Sequence, residues 1–469
     1  MNNINYKNKV AIVYLLGFFL DLVNVYIAVI GFPIMGKMLH ATIGQLSWVA
    51  NIYSLGLALV IPLSGWMGDK FGTKKIFVIS LILFSIGLTM CGLSTSIEQL
   101  IFWRLIQGLG GGLLIPVGQT MAYRVFPKVE RAKLTTVVMA VAAIAPAISP
   151  TIGGFIIEHF SWHFIFFFSV PFTLITLLLS IVWLREEKIH VEGRIDLFGM
   201  ILVSAGLVFV IYGLSYFKKI QDLTNSLTYL GGGLILLAIF TFYAVKIKHP
   251  ILDIRIMRNK LLSKGMVIYI FVVGGFAGSN LLVIYFFQSV FAVSAVKTGM
   301  LMIPYAISVF IALNFVGRYF NRFGPKNVML PGVIIFALGL ILFQFINNPS
   351  DYNIAVVAFI LLGSGGAIVT SGCQVIALLE IEHNHMGKAS TIWNLNRQLC
   401  FSLGVAIFIM ILTVMLSHHQ ITDIASLANH EQVIKIFHTC FSYAAISIII
   451  PLLIILSLDN KKILSSIHH

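Results

Sequence analysis

Long apolar runs, each about as long as a lipid core is thick, recur along the whole chain and are parted by short polar loops. A helix needs about 20 predominantly apolar residues to cross a bilayer. By that rule the sequence predicts fourteen helices, near 10–36, 45–67, 76–96, 99–123, 134–157, 163–184, 197–216, 227–246, 264–291, 298–319, 327–347, 354–379, 388–416 and 434–457. The runs are too long and too continuous for strands. Composition agrees. Of 469 residues, 59% are hydrophobic and 10% charged, where a soluble domain carries about 25% charge. The predicted class is an all-α polytopic membrane protein. Lys7 and Lys9 precede a first run of roughly 25 residues, longer than the ~7–15 of a signal peptide, so that run reads as the first membrane helix.

The net charge is +14, yet no basic run is long enough to grip nucleic acid. The cations sit in loops, and they are lopsided. With loops assigned alternately, one face collects Lys7, Lys9, Lys70, Lys74, Lys75, Arg124, Lys128, Arg131, Lys133, Arg185, Lys188, Arg194, Lys246, Lys248, Arg255, Arg258, Lys260, Lys264, Arg318, Arg322, Lys326, Lys388, Lys461 and Lys462. That is 24 of the 31 Lys and Arg. The other face has Lys37, Lys218, Lys219, Lys297 and Lys435, and Arg104 and Arg397 lie inside helices. The positive-inside rule puts the basic face, and with it both termini, in the cytoplasm. The partner implied is the lipid bilayer, not a nucleic acid.

Two loops match. Gly65-Trp66-Met67-Gly68-Asp69-Lys70-Phe71-Gly72-Thr73-Lys74-Lys75 leaves the second helix, and Gly317-Arg318-Tyr319-Phe320-Asn321-Arg322-Phe323-Gly324-Pro325-Lys326 leaves the tenth. Each reads glycine, an acid or its amide, a basic residue, Phe, Gly, then basic residues. Matching loops at matching positions indicate an internal duplication. The layout is six helices, two, then six: a bundle over 1–190, a two-helix linker over 191–260 and a second bundle over 261–469. Asp69 is either a latch against a helix end or a neighbouring Arg, or part of a solvated turn. Asn321 stands at its place in the second copy, so a charge latch there is expected to be absent.

Polar residues deep in the runs are the candidate machinery, because a charge at mid-membrane costs about 2.5–3.5 kcal/mol on insertion scales. Asp21 lies about 11 residues into the first helix, roughly 16 Å, and Asn24 is one turn further on the same face. Two readings stay open for Asp21: a site that takes up and releases a proton, or a fixed pair with Arg104. Arg397 needs an acid, a carbonyl or an anionic substrate as partner. Arg104-Leu105-Ile106-Gln107-Gly108-Leu109-Gly110-Gly111-Gly112 lacks the preceding strand and following Lys-Ser/Thr of a nucleotide loop. Gly108 and Gly112 suit close helix approach instead. Pro146 and Pro150, ahead of Gly153-Gly154, predict a bent and pliable fifth helix.

No enzyme signature accompanies these residues. There is no hydrolase triad, no ATP loop and no HExxH, and no metal or cofactor is expected. Cys91, Cys373, Cys400 and Cys440 all fall in apolar runs without metal spacing and read as free thiols. Glu158 is a candidate entry acid. Glu380 and Glu382 are either a solvated helix end or a gating pair with Lys388.

Taken in order, these motifs resemble the major facilitator superfamily, in particular its fourteen-helix drug:proton antiporter branch, EmrB/QacA-like. Gly65, Asp69, Lys70, Gly72, Lys74 and Lys75 match its loop motif. Arg104, Gln107 and Gly108 match its Arg-x-x-Gln-Gly motif. Pro146, Pro150, Gly153 and Gly154 match its antiporter motif, with Ala145 and Ser149 where the family has glycine. Asn24 falls where the family has an acid nine residues before Pro33. Tyr285 and Gln288, then Gly299 and Pro304, resemble its Tyr-x-Gln run. Asn394, Arg397 and Gln398 resemble its Asn-x-x-Arg-Gln motif. Trp162, Ile165, Phe166 and Pro171 fit its entry to the sixth helix, with His163 where Arg is usual.

The resemblance implies a major facilitator fold of two six-helix bundles plus two linking helices, and a secondary active transporter. It implies proton-coupled export of small amphipathic compounds or drugs from a bacterial cytoplasmic or inner membrane. Asp21 and Arg104 would couple the proton. Asn24, Gln107, Tyr285, Gln288, Asn394 and Arg397 would line the substrate cavity. Gly65, Asp69, Lys70, Gly72, Lys74, Pro146 and Pro150 would gate. The transport unit would be a monomer, joined in a two-membrane bacterium by a periplasmic adaptor. Two other readings stay open: a carrier dedicated to one metabolite or siderophore on the same fold, and a membrane sensor or scaffold that transports nothing.

Overall fold

The apolar runs are helices because a backbone in lipid must satisfy its own hydrogen bonds. The computed structural model describes residues 2–468 except 42, 187–195, 217–222, 249, 294 and 422–429. Lys188, Arg194, Lys218, Lys219 and the expected bundle boundary at 190/191 lie outside the described residues, as do the side chains of Pro146, Pro150 and Gln288.

The first bundle begins with α1 (Asn2–Ile30) and its short continuation α2 (Phe32–Met38). It continues with α3 (Ile43–Phe71), α4 (Thr73–Gly92), α5 (Ile97–Val125), α6 (Lys128–His159) and a last passage made of α7 (Phe164–Phe167) and α8 (Ser169–Trp183). The linker pair is α9 (Leu197–Tyr216) and α10 (Leu223–Lys246), followed by a 3-10 turn, Ile254–Arg258. The second bundle holds α11 (Lys260–Tyr285), which ends in a π turn, then α12 (Ala295–Met300), α13 (Met302–Leu342), α14 (Tyr352–Leu379), α15 (Met386–His418), α16 (His430–Ser447) and α17 (Ile449–Leu456). A final α18 (Asn460–His468) packs on α13 and α6.

Among the described residues there is no strand, and eleven stretches are long and apolar enough to cross a membrane. One of them, Lys297–Phe345, holds two passages, and α9 contributes the shorter apolar helix Leu197–Val210. With α6, which is 32 residues long, the fourteen expected passages are present. The tenth and eleventh, expected as separate helices, are two helices within the span of α13. They are joined through Gly324 alone, whose φ of 79° breaks the helical path inside α13.

Two apolar cores result. The first is built from α1–α10 with Ile251 and Leu252, and it takes in Leu378, Ile381, Met386, Ala389, Ile392 and Leu395 from the α14–α15 corner. The second is built from α11–α18 and takes in Ala132 of α6. Each bundle therefore lends residues to the other's core, and it does so near the basic face, where α6 begins and α14 gives way to α15.

Of the linker pair, α9 lies against α3 and α15, and α10 packs on α9. The two helices meet backbone to backbone: a Cβ on Gly213 would fall 2.7 Å from Leu230 N, and one on Gly233 would fall 2.8 Å from Val210 N. The pair carries more polar anchoring than the apolar runs disclose. Asp196 accepts from Gly199 N at 2.8 Å, from the Tyr243 hydroxyl at 2.9 Å and from Ile251 N at 3.2 Å. Beyond α10, Asp253 accepts from Lys388 Nζ at 3.0 Å. The gating pair considered for Lys388 with Glu380 or Glu382 is replaced by this bridge, and Glu382 lies 3.6 Å from His385 instead.

Candidate functional site

The duplication seen in the two loops extends to their geometry. Gly72 and Gly324 both have positive φ, 101° and 79°, a region open to glycine because it has no Cβ. Lys74, two residues after Gly72, donates to Ile181 O near the end of α8 at 2.7 Å. Lys326, two residues after Gly324, donates to Leu456 O at the end of α17 at 2.6 Å. Residues three and four positions past these helices lie over the glycines: Glu186 over Gly72 and Asn460 over Gly324.

The copies differ where the acid does. Asp69 accepts from Arg124 Nη2 at 2.6 Å in a buried ion pair, and its carboxylate lies against Gly387 at the start of α15. Asn321 instead donates to Val129 O across the bundles at 2.7 Å. Lys70 lies over the Trp66 ring, 4.7 Å from its centroid. Gly65 touches α15, where a Cβ would meet Thr391 Oγ1 at 2.8 Å. Helix α6 runs without a break through Pro146 and Pro150.

The bundles are tied together on this face by further polar contacts. Ser64 and Thr391 hydroxyls meet at 2.9 Å. Arg131 donates to Leu378 O at 2.7 Å, Gln374 Nε2 to the Tyr123 hydroxyl at 3.0 Å and Asn394 Nδ2 to Gln119 Oε1 at 2.5 Å. Asn394, expected in the substrate cavity, is thus a buried cross-bundle tie. Gln119, Tyr123, Arg131 and Gln374 were not anticipated. Gln107, Gly111, Gln119 and Tyr123 lie on one i, i+4 row of α5, and that row was the available signal.

Above this seal lies the deep charged cluster. Asp21 and Asn24 are buried. The Tyr53 hydroxyl of α3 donates to Asp21 Oδ1. The Arg104 guanidinium stacks over the same Tyr53 ring at 4.5 Å, a geometry that favours a cation on the ring face. Tyr53 therefore links the acid and the base, with its ring toward one and its hydroxyl toward the other. Arg104 is held by Val49 O at 3.2 Å and Gln107 Oε1 at 2.8 Å. Gln107 Nε2 reaches on to Asn24 Oδ1 at 3.3 Å, and Asn24 Nδ2 donates to Leu20 O at 2.8 Å. No ion pair joins Asp21 to Arg104.

Glycines make the room. A Cβ on Gly111 would lie 2.6 Å from Asp21 Oδ1 and 2.7 Å from the Tyr53 hydroxyl. Gly108 and Gly112 bring α5 against the α3 backbone at Tyr53 and Leu57, with Cβ positions 2.4 Å and 2.8 Å from their carbonyl oxygens. From the other bundle, Arg397 lies over the Phe18 ring at 5.2 Å, one turn of α1 from Asp21. Tyr285 is exposed at the end of α11 and is not brought to this cluster.

The model of the Major Facilitator Superfamily matches residues 14–405, which takes in the loop motif, the α5 cluster and the α15 motif. The chain belongs to the major facilitator superfamily. Among its curated relatives is a multidrug resistance protein B homolog of Mycobacterium tuberculosis, 27% identical over 81% of this chain and 72% of that one. A putative multidrug resistance protein, MdtD, of Salmonella paratyphi A is 26% identical over 95% of this chain and 93% of the relative. A probable transport protein, HsrA, of Haemophilus influenzae is 27% identical over 81% and 82%. Solved structures share the fold. The human organic anion transporter MFSD10 superposes with a TM-score of 0.65 at 13% identity, covering 96% of this chain and 99% of that one. The proton:xylose symporter XylE superposes with a TM-score of 0.61 at 15% identity, covering 95% of each. This major facilitator protein is a membrane transporter of small molecules, not an enzyme.

Proposed function

We propose that this transporter exports small amphipathic compounds across the cytoplasmic membrane of a bacterium in exchange for protons, with its basic face and both termini in the cytoplasm. The observation that carries the reading is Asp21. Every other described carboxylate lies in a loop or within a turn of a helix end, whereas Asp21 lies mid-helix with the Tyr53 hydroxyl on it and Arg104 behind that ring. An acid so placed is costly unless it works. Its contact is a hydroxyl, not a fixed countercharge, so it can gain and lose a proton without stranding a paired base.

The basic face is closed by the ties between α3, α5, α6 and α14–α15, so the closed gate is the cytoplasmic one. Segments 1–190 and 261–469 then rock about the cluster. The linker of 191–260 bridges them through Asp253, and the Pro146 and Pro150 region of α6 supplies compliance. The names of the curated relatives support multidrug export over a single dedicated substrate. In everted vesicles, a proton gradient should drive uphill uptake of an amphipathic dye, and Asp21→Asn should abolish the gradient's effect. Gradient-driven uptake that survives Asp21→Asn would overturn the reading.

A further inference from the structure

Arg397 stands apart from the other cations of the membrane interior. It lies eleven residues into α15, roughly 16 Å along the helix. Arg104, the other deep cation, has a carbonyl, an amide oxygen and a tyrosine ring around it. Among the described residues, neither a hydrogen bond nor an ion pair reaches the Arg397 guanidinium. Its recognised contact is the face of Phe18 across the bundle interface. It is only half-buried, and its guanidinium lies beside Phe18 of the other bundle. A guanidinium carries five N–H donors in a fork that fits carboxylate, sulfonate or phosphate oxygens two at a time. Left unmatched at this depth, such a charge is among the costliest groups a membrane protein can hold.

The groups facing it are few. On α1 these are Tyr14, Phe18 and Asp21, with Tyr53 on α3 and Arg104 on α5 behind them. The cluster holds two cations and one acid. It has an excess of one positive charge when Asp21 is ionised and of two when it is protonated. Such a site disfavours an organic cation and favours an anion in both states.

We propose that Arg397 is the substrate's charge contact and that the exported compounds are amphipathic anions, with a carboxylate, sulfonate or phosphate on Arg397 and an apolar or aromatic body against Phe18. This rests on the export reading above and names the substrate class of that same site. An anion on Arg397 offsets the excess positive charge of the cluster in either state of Asp21. Charge balance gives a second consequence. One proton in and one monoanion out move two charges inward per cycle, whereas one proton in and one monocation out move none.

The test uses the full-length protein in proteoliposomes with two probes of similar size, naphthalene sulfonate and naphthyltrimethylammonium. The wild type should move the sulfonate at least tenfold faster than the ammonium compound, and a potential negative on the basic side should speed it. Arg397→Gln should cut sulfonate flux at least tenfold, and Arg397→Lys should restore part of it. The wild-type comparison needs no variant to fold. Faster movement of the ammonium probe would overturn the anion proposal and leave export standing. Unchanged sulfonate flux in Arg397→Gln would do the same. Movement of neither probe, with or without a proton gradient, would overturn both.

Discussion

Asp69 and Asn321 occupy the same place in two copies of one loop, and the difference of a single atom decides what each can do. Asp69 neutralises Arg124 in a buried pair, and two other nitrogens of that guanidinium have no hydrogen-bond partner. Removing one member of a buried pair costs about 3–5 kcal/mol, because a buried charge is left uncompensated. Asn321 makes one neutral hydrogen bond to a carbonyl, a contact worth about 0.5–1.5 kcal/mol. Asp69→Asn should therefore lower thermal stability and transport far more than Asn321→Ala. Equal losses in a melt and a flux assay would contradict that asymmetry. Gly111→Ala forces a methyl group onto both Asp21 and Tyr53. It should suppress proton-coupled flux at least tenfold while costing about 1–3 kcal/mol in stability, and flux near wild type would count against the Asp21–Tyr53 contact. Asp21 and Arg104 were legible in the sequence because a charge in an apolar run stands out against its neighbours. Their relation was not. Tyr53, which the sequence shows only as a tyrosine in a hydrophobic helix, comes between them, and only packing discloses that. Arg397 was legible as a charge in need of a partner, and the structure supplies an aromatic face and leaves the residue half-buried.

At the scale of elements, α13 holds the two helices that its two apolar runs predict, meeting at Gly324. Hydropathy weighs residues and finds two apolar runs with a polar gap, but it cannot see that one glycine with positive φ makes the whole turn. The fourteen passages themselves were legible, since lipid thickness sets their length and backbone satisfaction sets their form. Gly72 and Gly324 predict paired effects. Alanine at either meets a backbone region L residues avoid and the side chain lying over it, Glu186 or Asn460, so each should cost at least about 1 kcal/mol. A thermal melt unchanged in both would show that the loops can reshape freely. Hydropathy does not disclose the polar anchors of the linker pair, Asp196 and Asp253, because they lie just outside its apolar runs. Closure of the basic face can be tested between α3 and α15. A Ser64→Cys, Thr391→Cys pair replaces hydroxyls 2.9 Å apart and should crosslink under oxidation, stopping transport until it is reduced. A crosslinked protein that still transports would show that these helices need not separate.

The whole molecule is a duplicated pair of bundles that share residues near one face and hold a charged cluster above that seal. Lopsided basic charge, matched loops and deep polar residues each appeared in the sequence and each acquired a place in the structure. The ties that close the face did not appear, because Gln119, Tyr123, Gln374 and Thr391 are ordinary polar residues until α5, α14 and α15 meet. The central claim is that Asp21 carries the exchanged proton, and proton flux reports on it most directly. In proteoliposomes with a pH-sensitive dye inside, adding an amphipathic substrate should start substrate-dependent proton movement in the wild type and none in Asp21→Asn, with binding of the substrate retained. Substrate-dependent proton movement of equal size in Asp21→Asn would contradict the account.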